Sequence, residues 1–186
     1  SNSLFAENDY SINGFGFKTI RVHPKIKFKQ INFEAKFSFK KDDIDPFDFP
    51  LDLDDTLANE RIKELDFKID FESFLKKTPL TSLPEGTSTN FEFNSANSIF
   101  ENLQKLNDWT FNHIQFKAGV TQVDTELKDV ISSRQGVCQD FTHLFCAMSR
   151  KNGIPARYVS GYLNQEHGLI GDSQMHAWAE VYIPLV

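Results

Sequence analysis

The chain has 186 residues, a formal net charge of −6 and only two cysteines. This length is sufficient for one well-packed domain or for two small ones. The acidic balance argues against nucleic acid as a partner, because phosphate binding requires clustered Lys and Arg, and two cysteines are too few for a disulfide-rich secreted scaffold.

The first part of the chain is predicted to be β-rich, as a sandwich-like domain over residues 1–78. Apolar residues alternate with polar ones in two stretches, 31–39 and 65–71, which is the period of a half-buried strand. Residues 15–22 are a weaker strand candidate. No apolar run approaches the roughly 20 residues of a membrane helix, and the first ten residues lack a signal-peptide pattern. We therefore expect a cytoplasmic protein without a membrane span.

An acidic segment, 42–55, lies between these predicted strands and holds seven aspartates. Its spacing does not match the calcium-binding EF-hand pattern, and no glycine stands at the turn that this pattern requires. A solvated loop is favoured over a metal site, because runs of like charge usually face water.

Pro, Gly, Ser and Thr residues between 76 and 94 predict a linker, placed at 79–94. The period of the pattern then becomes helical, and the third predicted region covers 95–186. Ser98 with Glu101 three residues later is a capping-box signature. A short helix is expected at about 126–131, with Thr125 as its N-cap.

A longer helix is predicted from Cys138 to Lys151, followed by two strands. Its apolar face follows helical spacing, and Asn152-Gly153 with Pro155 beyond is a good stop. Residues 158–163 and 177–183 are rich in aromatic and β-branched residues, which favours strands. Together the elements predict an α+β fold.

Cys138, at the start of this helix, is the candidate nucleophile. Helix N-terminal N–H groups favour a thiolate and can stabilise an oxyanion formed by its attack on a carbonyl. The alternative is a buried structural cysteine, since free Cys is often buried. Cys146 fits that structural role better, as it lies among apolar residues in mid-helix. The two lie roughly 12 Å apart on one helix, too far for a disulfide, so two free thiols are expected.

Among the five histidines, position alone favours His176 only weakly as the base. It stands at the start of an apolar strand that could face Cys138. His143, five positions after Cys138 on the same helix, points well round from it.

Three blocks in this order resemble the core of the bacterial transglutaminase-like superfamily. The first runs Arg-Gln-Gly-Val-Cys-Gln-Asp from 134 to 140, the second Gly-Ile-Pro-Ala-Arg-Tyr-Val-Ser-Gly-Tyr from 153 to 162, and the third His-Ala-Trp-Ala-Glu-Val-Tyr-Ile-Pro from 176 to 184. Three ordered blocks are a specific match, and the resemblance covers residues 97–186.

This resemblance implies a papain-like core, in which a helix that begins with the nucleophile packs against an antiparallel sheet. It implies Cys138 as nucleophile and His176 as base, with Asp140, Trp178 and Glu180 in supporting roles. We expect no cofactor and no metal.

One part of the family pattern has no counterpart in the sequence. The family places an Asp on the strand after the His, whereas this sequence ends ten residues after His176. Glu180 is four residues along the same strand, roughly 13 Å away. We therefore expect a C-terminally truncated chain, which would have low activity without the third acid. A sheet without its last strands would expose an edge that could pair in a homodimer.

The function that this implies is a cysteine enzyme acting on the amide bonds of a protein or peptide, through an acyl-enzyme. Hydrolysis is favoured over cross-linking, because this branch of the superfamily includes many protease-like members. The alternative is a non-catalytic peptide-binding or scaffolding module that retains the fold. A zinc site is disfavoured, because cysteines eight residues apart do not match zinc spacing.

Overall fold

The structure is a computed structural model, and it describes residues 6–14, 16–30, 32, 34, 42, 45, 48, 55–162 and 175–184. It divides into two compact units, residues 1–48 and residues 49–186. The predicted strand at 31–39 and most of the acidic segment 42–55 lie outside the described residues. The domain ranges drawn from the sequence, 1–78, 79–94 and 95–186, stay a prediction, and so does the sandwich.

The described part of the first unit is an antiparallel β-hairpin. It consists of β1 (Ala6–Ile12) and β2 (Lys18–Pro24), in a register that pairs Tyr10 with Ile20. The side chain of Asn13 accepts a hydrogen bond from the Phe17 N–H at 3.0 Å and so closes the turn. The strand predicted within 15–22 is therefore present, shifted toward the C-terminus.

The second unit carries the remaining elements. In chain order these are α1 (Asp55–Arg61), α2 (Leu65–Asp70), α3 (Glu72–Leu75), a 3-10 turn (Pro79–Thr81), α4 (Ile99–His113), β3 (Gln115–Phe116), α5 (Leu127–Ser133), β4 (Gln135–Gly136), α6 (Cys138–Lys151), β5 (Ala156–Tyr162) and β6 (Met175–Val181). β3 and β4 form a short parallel pair, and β5 and β6 form an antiparallel pair.

The core of the second unit lies between the helices and the β5–β6 pair. Its buried members come from α1, α2, α4, α5 and α6 and from the residues that follow α1, α4 and α6, and they are Ala58, Ile62, Phe67, Ile99, Leu103, Leu106, Ile114, Leu127, Val130, Leu144, Ala147, Met148 and Ile154. Because α6 contributes three of these residues, burial of its apolar face fixes the helix that begins with Cys138.

The helices predicted in the second half are present. α4 begins after Ser98, whose hydroxyl accepts from the Glu101 N–H at 2.9 Å, while the Glu101 carboxylate accepts from the Ser98 N–H at 3.1 Å. α6 has the predicted bounds, Cys138–Lys151. The N-cap of α5 is Glu126 and not Thr125, because the Thr125 hydroxyl instead accepts from the Gln122 N–H at 2.7 Å.

The strand predicted over 65–71 is wrong, because this stretch forms α2. Phe67 is 2% exposed, whereas Leu65 and Ile69 are 73% and 64% exposed. A helix brings residues four apart onto one face, and the rings of Phe67 and Phe71 lie 4.7 Å apart. Phe71 also stacks on Tyr182 at 4.4 Å. Two aromatic residues therefore pack inward at helical spacing, and the alternation of period two has no structural role.

The segment predicted as a linker is packed against the core. Leu83, Phe91 and Phe93 lie against it. The guanidinium of Arg150 in α6 also donates to the Thr81 hydroxyl at 2.8 Å. These contacts hold 76–94 to the same unit as α6.

Candidate active site

Cys138 is the first residue of α6 and is partly exposed. The short β4 strand runs directly into this helix. Its partner β3 holds the chain in place, because the Lys117 N–H donates to the Gly136 carbonyl at 2.9 Å. The β3–β4 pair thus fixes the chain directly before Cys138, and with it the start of α6.

The N–H groups of Cys138 and Gln139 are available at this helix start. The first N–H groups of a helix have no partner within it. Here the Val137 N–H donates to the Asp140 carboxylate at 2.7 Å, and the Asp140 N–H donates to the Val137 carbonyl at 2.8 Å. The N–H groups of Cys138 and Gln139 have no acceptor among the residues that the structure describes. Two free donors beside a sulfur are the elements of an oxyanion hole.

Asp140 is fully buried one turn into α6. Besides the Val137 N–H, its Oδ2 atom accepts from the Thr121 hydroxyl at 2.7 Å. Its Oδ1 atom is buried and has no partner among the described groups. A second tie to the same loop comes from Gln139, whose side-chain amide donates to the Gln122 carbonyl at 2.7 Å. Two side chains from the first turn of α6 thus hold the loop around 121–122.

Cys146 is fully buried in mid-helix, as predicted, and both cysteines are free thiols. Burial raises the pKa of the Cys146 thiol to about 11, and the nearby Arg150 acts in the opposite direction. The two thiols of the chain therefore differ in access, since only Cys138 reaches the surface.

Two points of contact show that α6 and β5 run antiparallel. Arg150, near the end of α6, donates to the carbonyl of Ala156, the first residue of β5, at 2.7 and 3.2 Å. Earlier in the helix, the His143 ring lies 5.0 Å from the ring of Tyr158, two residues further along the strand. The beginning of α6 is therefore directed toward the far end of the β5–β6 pair.

His176 lies at this far end of the pair. It is the second residue of β6 and is opposite Gly161 in the register. From Arg150 back to Cys138 the helix rises about 18 Å, while from Ala156 to Gly161 the strand rises about 16 Å. From these similar lengths we expect Cys138 and His176 at about the same level along the sheet.

Strand alternation assigns His176 to the face of the sheet that also carries Trp178 and Glu180. On this face the Trp178 N–H donates to the Glu180 carboxylate at 3.2 Å. Tyr158 is on the opposite face, where it packs against His143 of α6. His143 is consequently on the helix side of the sheet, whereas alternation assigns His176 to the other side.

Glu180, Trp178 and Gly161 form one layer on this outer face. The guanidinium of Arg157 donates through Nε to the Glu180 carboxylate at 2.7 Å. A Cβ atom at Gly161 would lie 2.7 Å from the far edge of the Trp178 ring. The indole therefore lies over Gly161, the residue opposite His176 in the register.

Electrostatics on the helix side of the sheet favour neutral groups. Burial lowers the pKa of His143, with Asp140 opposing and Arg150 reinforcing this shift. Burial raises the pKa of Tyr158, and the nearby acidic groups of Cys138, Asp140 and Cys146 act in the same direction. Both rings are therefore neutral at pH 7.

Thr121 and Gly136 are the site residues that the sequence did not reveal. Thr121 is 19 residues before Asp140, in a loop with no pattern of its own, so no local signal points to it. Gly136 was part of the family-like block, but its role depends on the close approach of Asp140, which only the fold brings about.

Among the described residues, no helix is long and apolar enough to span a membrane. No group of three or more potential metal-ligating side chains clusters within these residues.

Comparisons with known proteins match part of the chain. An uncharacterized protein of Mycobacterium tuberculosis is 37% identical over 91 residues, which is 46% of this chain and 29% of the relative. An uncharacterized protein of Mycobacterium leprae is 36% identical over 78 residues, 40% of this chain and 28% of the relative. The chain thus spans less than a third of the length of these relatives.

A crystal structure of a candidate cysteine protease from Cytophaga hutchinsonii is also similar. It matches with a TM-score of 0.51 and 29% identity, over 61% of this chain and 38% of that one. The mixed α/β fold is therefore shared with that protein. The family model described as transglutaminase-like superfamily matches residues 87–185, just over half of the chain. The chain belongs to the transglutaminase-like superfamily.

Proposed function

We propose that the protein is a cysteine enzyme that cleaves amide bonds in a protein or peptide, with Cys138 as nucleophile and His176 as base. The observation that carries this proposal is the partly exposed thiol at the first position of α6, beside two N–H groups that have no acceptor among the described residues. A helix start of this kind favours a thiolate and an adjacent oxyanion. Membership of the transglutaminase-like superfamily supports the same reading.

The proposed reaction has two steps. The Cys138 thiolate attacks the carbonyl carbon, and the oxyanion is held by the N–H groups of Cys138 and Gln139. The C–N bond then breaks, and the protonated base gives its proton to the leaving amine, which leaves a thioester on Cys138. In the second step water attacks the thioester while the base accepts one of its protons; the C–S bond breaks, the carboxylic acid leaves, and the Cys138 thiolate and the protonated base are regenerated.

Hydrolysis is proposed over cross-linking, and the two differ only in whether water or an amine attacks the thioester. The similarity to a candidate cysteine protease supports hydrolysis. In both cases Asp140 is proposed to support the helix start, and Trp178 and Glu180 the strand that carries His176.

The choice of base rests on two observations that point in different directions. The expected level of His176 along the sheet supports it, whereas strand alternation assigns His176 to the face away from α6. His143 is buried and on the same helix as Cys138, about 140° round the axis from it. These features favour a structural role for His143, and the experiment below decides between the two.

The test uses p-nitrophenyl acetate as an acyl donor. The proposal predicts a burst of one equivalent of p-nitrophenolate and one acetyl group on Cys138, removed by hydroxylamine as expected of a thioester. The burst is absent in Cys138→Ala and retained in Cys146→Ala. His176→Gln should slow acylation at least about 100-fold, the usual contribution of a general base, while His143→Gln leaves it within about threefold. The reverse result would make His143 the base, and no burst in the unaltered protein would favour the peptide-binding module.

Separating hydrolysis from transfer requires a competing amine. Acetylated protein is mixed with a primary amine such as monodansylcadaverine, and the products are compared with those in water alone. Release of acetate that is unchanged by the amine supports a hydrolase. Predominant formation of the acetylated amine would make the protein a transferase.

A further inference from the structure

The start of α6 is tied to a distant loop by a single buried carboxylate. Asp140 accepts hydrogen bonds from the Val137 N–H and from the Thr121 hydroxyl, each at 2.7 Å and both on the same oxygen, Oδ2. We refer to Thr121, Val137 and Asp140 as the Asp140 clamp. Hydrogen bonds to a charged group are stronger than those between neutral groups, so this oxygen is the main tie between the loop and the helix.

The clamp requires a glycine at position 136. A Cβ atom there would lie 2.6 Å from the Asp140 Cβ and 2.7 Å from its Oδ2. A Cβ atom essentially never makes non-bonded contacts this short, and the Asp140 Cβ cannot move away because the helix backbone fixes its position. The absence of a side chain at Gly136 is therefore what lets the carboxylate reach back to the Val137 N–H.

The clamp also determines which N–H groups remain free at the helix start. By occupying the Val137 N–H, Asp140 leaves those of Cys138 and Gln139 as the donors beside the sulfur. Without the clamp the first turn would lose its tie to residue 121, and fraying of this turn would move both donors relative to the thiol. The other tie, from Gln139 to the Gln122 carbonyl, is a neutral hydrogen bond and weaker.

We propose that Asp140 is a positioning residue, which acts through Thr121 and Val137 to hold the Cys138 thiol against the two free N–H groups of the helix start. This inference rests on the proposed function of Cys138. It assigns no contact between Asp140 and the substrate, because the carboxylate is fully buried. Because Asp140 acts on the geometry of the nucleophile, its loss should lower the reactivity of the Cys138 thiol even in variants that still fold.

The experiment measures alkylation of Cys138 by iodoacetamide at pH 7 in a Cys146→Ala background. Thr121→Val removes one of the two hydrogen bonds without a change of volume, and should lower the rate about fivefold, the equivalent of one hydrogen bond. Asp140→Ala removes both and should lower it by more than about tenfold. Asp140→Asn keeps an acceptor oxygen in the Oδ2 position and should restore the rate to within about threefold of the starting protein.

The matched control is Ser149→Ala, also on α6. Ser149 is fully buried and its hydroxyl has no partner among the described groups, so its removal should leave the rate unchanged. Exchange of the Val137 amide proton, followed by NMR, gives a second readout. It should be protected in the starting protein and in Asp140→Asn, and become faster in Asp140→Ala. This readout reports on the clamp directly and does not depend on the reactivity of the thiol.

The outcomes separate this inference from the proposed function. Unchanged alkylation in folded Thr121→Val and Asp140→Ala would overturn the clamp if the starting protein reacts as an activated thiol. If Asp140→Ala fails to fold, Thr121→Val alone decides, since it changes only a loop hydroxyl. If Cys138 in the starting protein is alkylated as slowly as an ordinary thiol, its proposed role as nucleophile is refuted. Slow exchange of the Val137 amide proton would then show that the clamp still forms, with a structural role only.

Discussion

Gly136→Ala should be one of the most destabilising single substitutions in the second unit. The added Cβ would meet the Asp140 Cβ at 2.6 Å, its Oδ2 at 2.7 Å and its Cγ at 2.9 Å. The carboxylate is fully buried and held by two hydrogen bonds, so it cannot swing into solvent. Relief therefore requires either a shift of α6 or the loss of those bonds.

The expected loss of stability is the sum of two effects. Overpacking of a buried site costs about 1–3 kcal/mol, and disruption of a hydrogen bond to a buried charged group costs about 1.5–3 kcal/mol. The free energy of unfolding should fall by about 2.5–6 kcal/mol, a large part of the roughly 5–15 kcal/mol that a domain has. Urea denaturation followed by circular dichroism measures this quantity.

Gly161→Ala is the matched control for this prediction. Its Cβ would lie 2.7 Å from an atom of Trp178, but this atom is the far edge of a partly exposed ring. The ring can swing outward, at the cost of its weak hydrogen bond to Glu180, so the loss should be about 1 kcal/mol. If Gly136→Ala lowers the free energy of unfolding no more than Gly161→Ala does, Asp140 does not pack closely against Gly136 and the prediction is wrong.

Two further predictions concern the packing of α6. Arg150→Met removes the donors to the carbonyls of Ala156 and Lys76 and to the Thr81 hydroxyl, so the free energy of unfolding should fall by about 2–4 kcal/mol. The control is Lys151→Met, at the exposed neighbouring residue, which should change it by less than about 0.5 kcal/mol. Equal effects of the two substitutions in urea denaturation would contradict the role of the Arg150 guanidinium. Burial lowers the pKa of His143 in the folded protein, so as the pH falls below about 6.5 the unfolded chain binds the proton first. The free energy of unfolding should therefore decrease as the pH is lowered through this window, by up to about 1.4 kcal/mol per pH unit. In His143→Phe the free energy of unfolding should depend less steeply on pH between pH 7 and pH 5. The same dependence in both proteins would show that His143 is protonated equally in the folded and unfolded states.

Where local signals and tertiary packing agree, the sequence was sufficient to predict the elements. α6 has an apolar face at helical spacing and a clear stop at Asn152-Gly153, and Gly153 takes the positive φ of 76° that this stop requires. α4 carries a complete capping box, and both its hydrogen bonds form. These signals lie within a few residues of one another, so they can be read without the rest of the fold.

Where packing decides against the local pattern, the sequence was misleading. An alternation typical of a strand is formed by Leu65, Phe67, Ile69 and Phe71. In the fold, however, only Phe67 and Phe71 pack against other elements, whereas Leu65 and Ile69 are exposed. The partner that selects these two rings is Tyr182, more than 100 residues later. No window of local sequence contains that information.

The candidate site divides in the same way. Cys138 could be placed at a helix start from the sequence, because the helix signals are local. Thr121 could not be linked to Asp140, because only the fold brings a loop 19 residues away to the helix start. The face of the sheet that His176 occupies likewise depends on the register of β5 and β6, which alternation within one strand does not reveal.

The central claim is that the thiol of Cys138 is activated. Its most direct test is the rate of alkylation by iodoacetamide at pH 6 and pH 9 in Cys146→Ala, with Cys138→Ala as the blank. An ordinary thiol reacts about 200-fold more slowly at pH 6 than at pH 9, since its pKa is about 8.5. An activated Cys138 should lose less than about tenfold over this range, and a loss of about 200-fold would contradict the account.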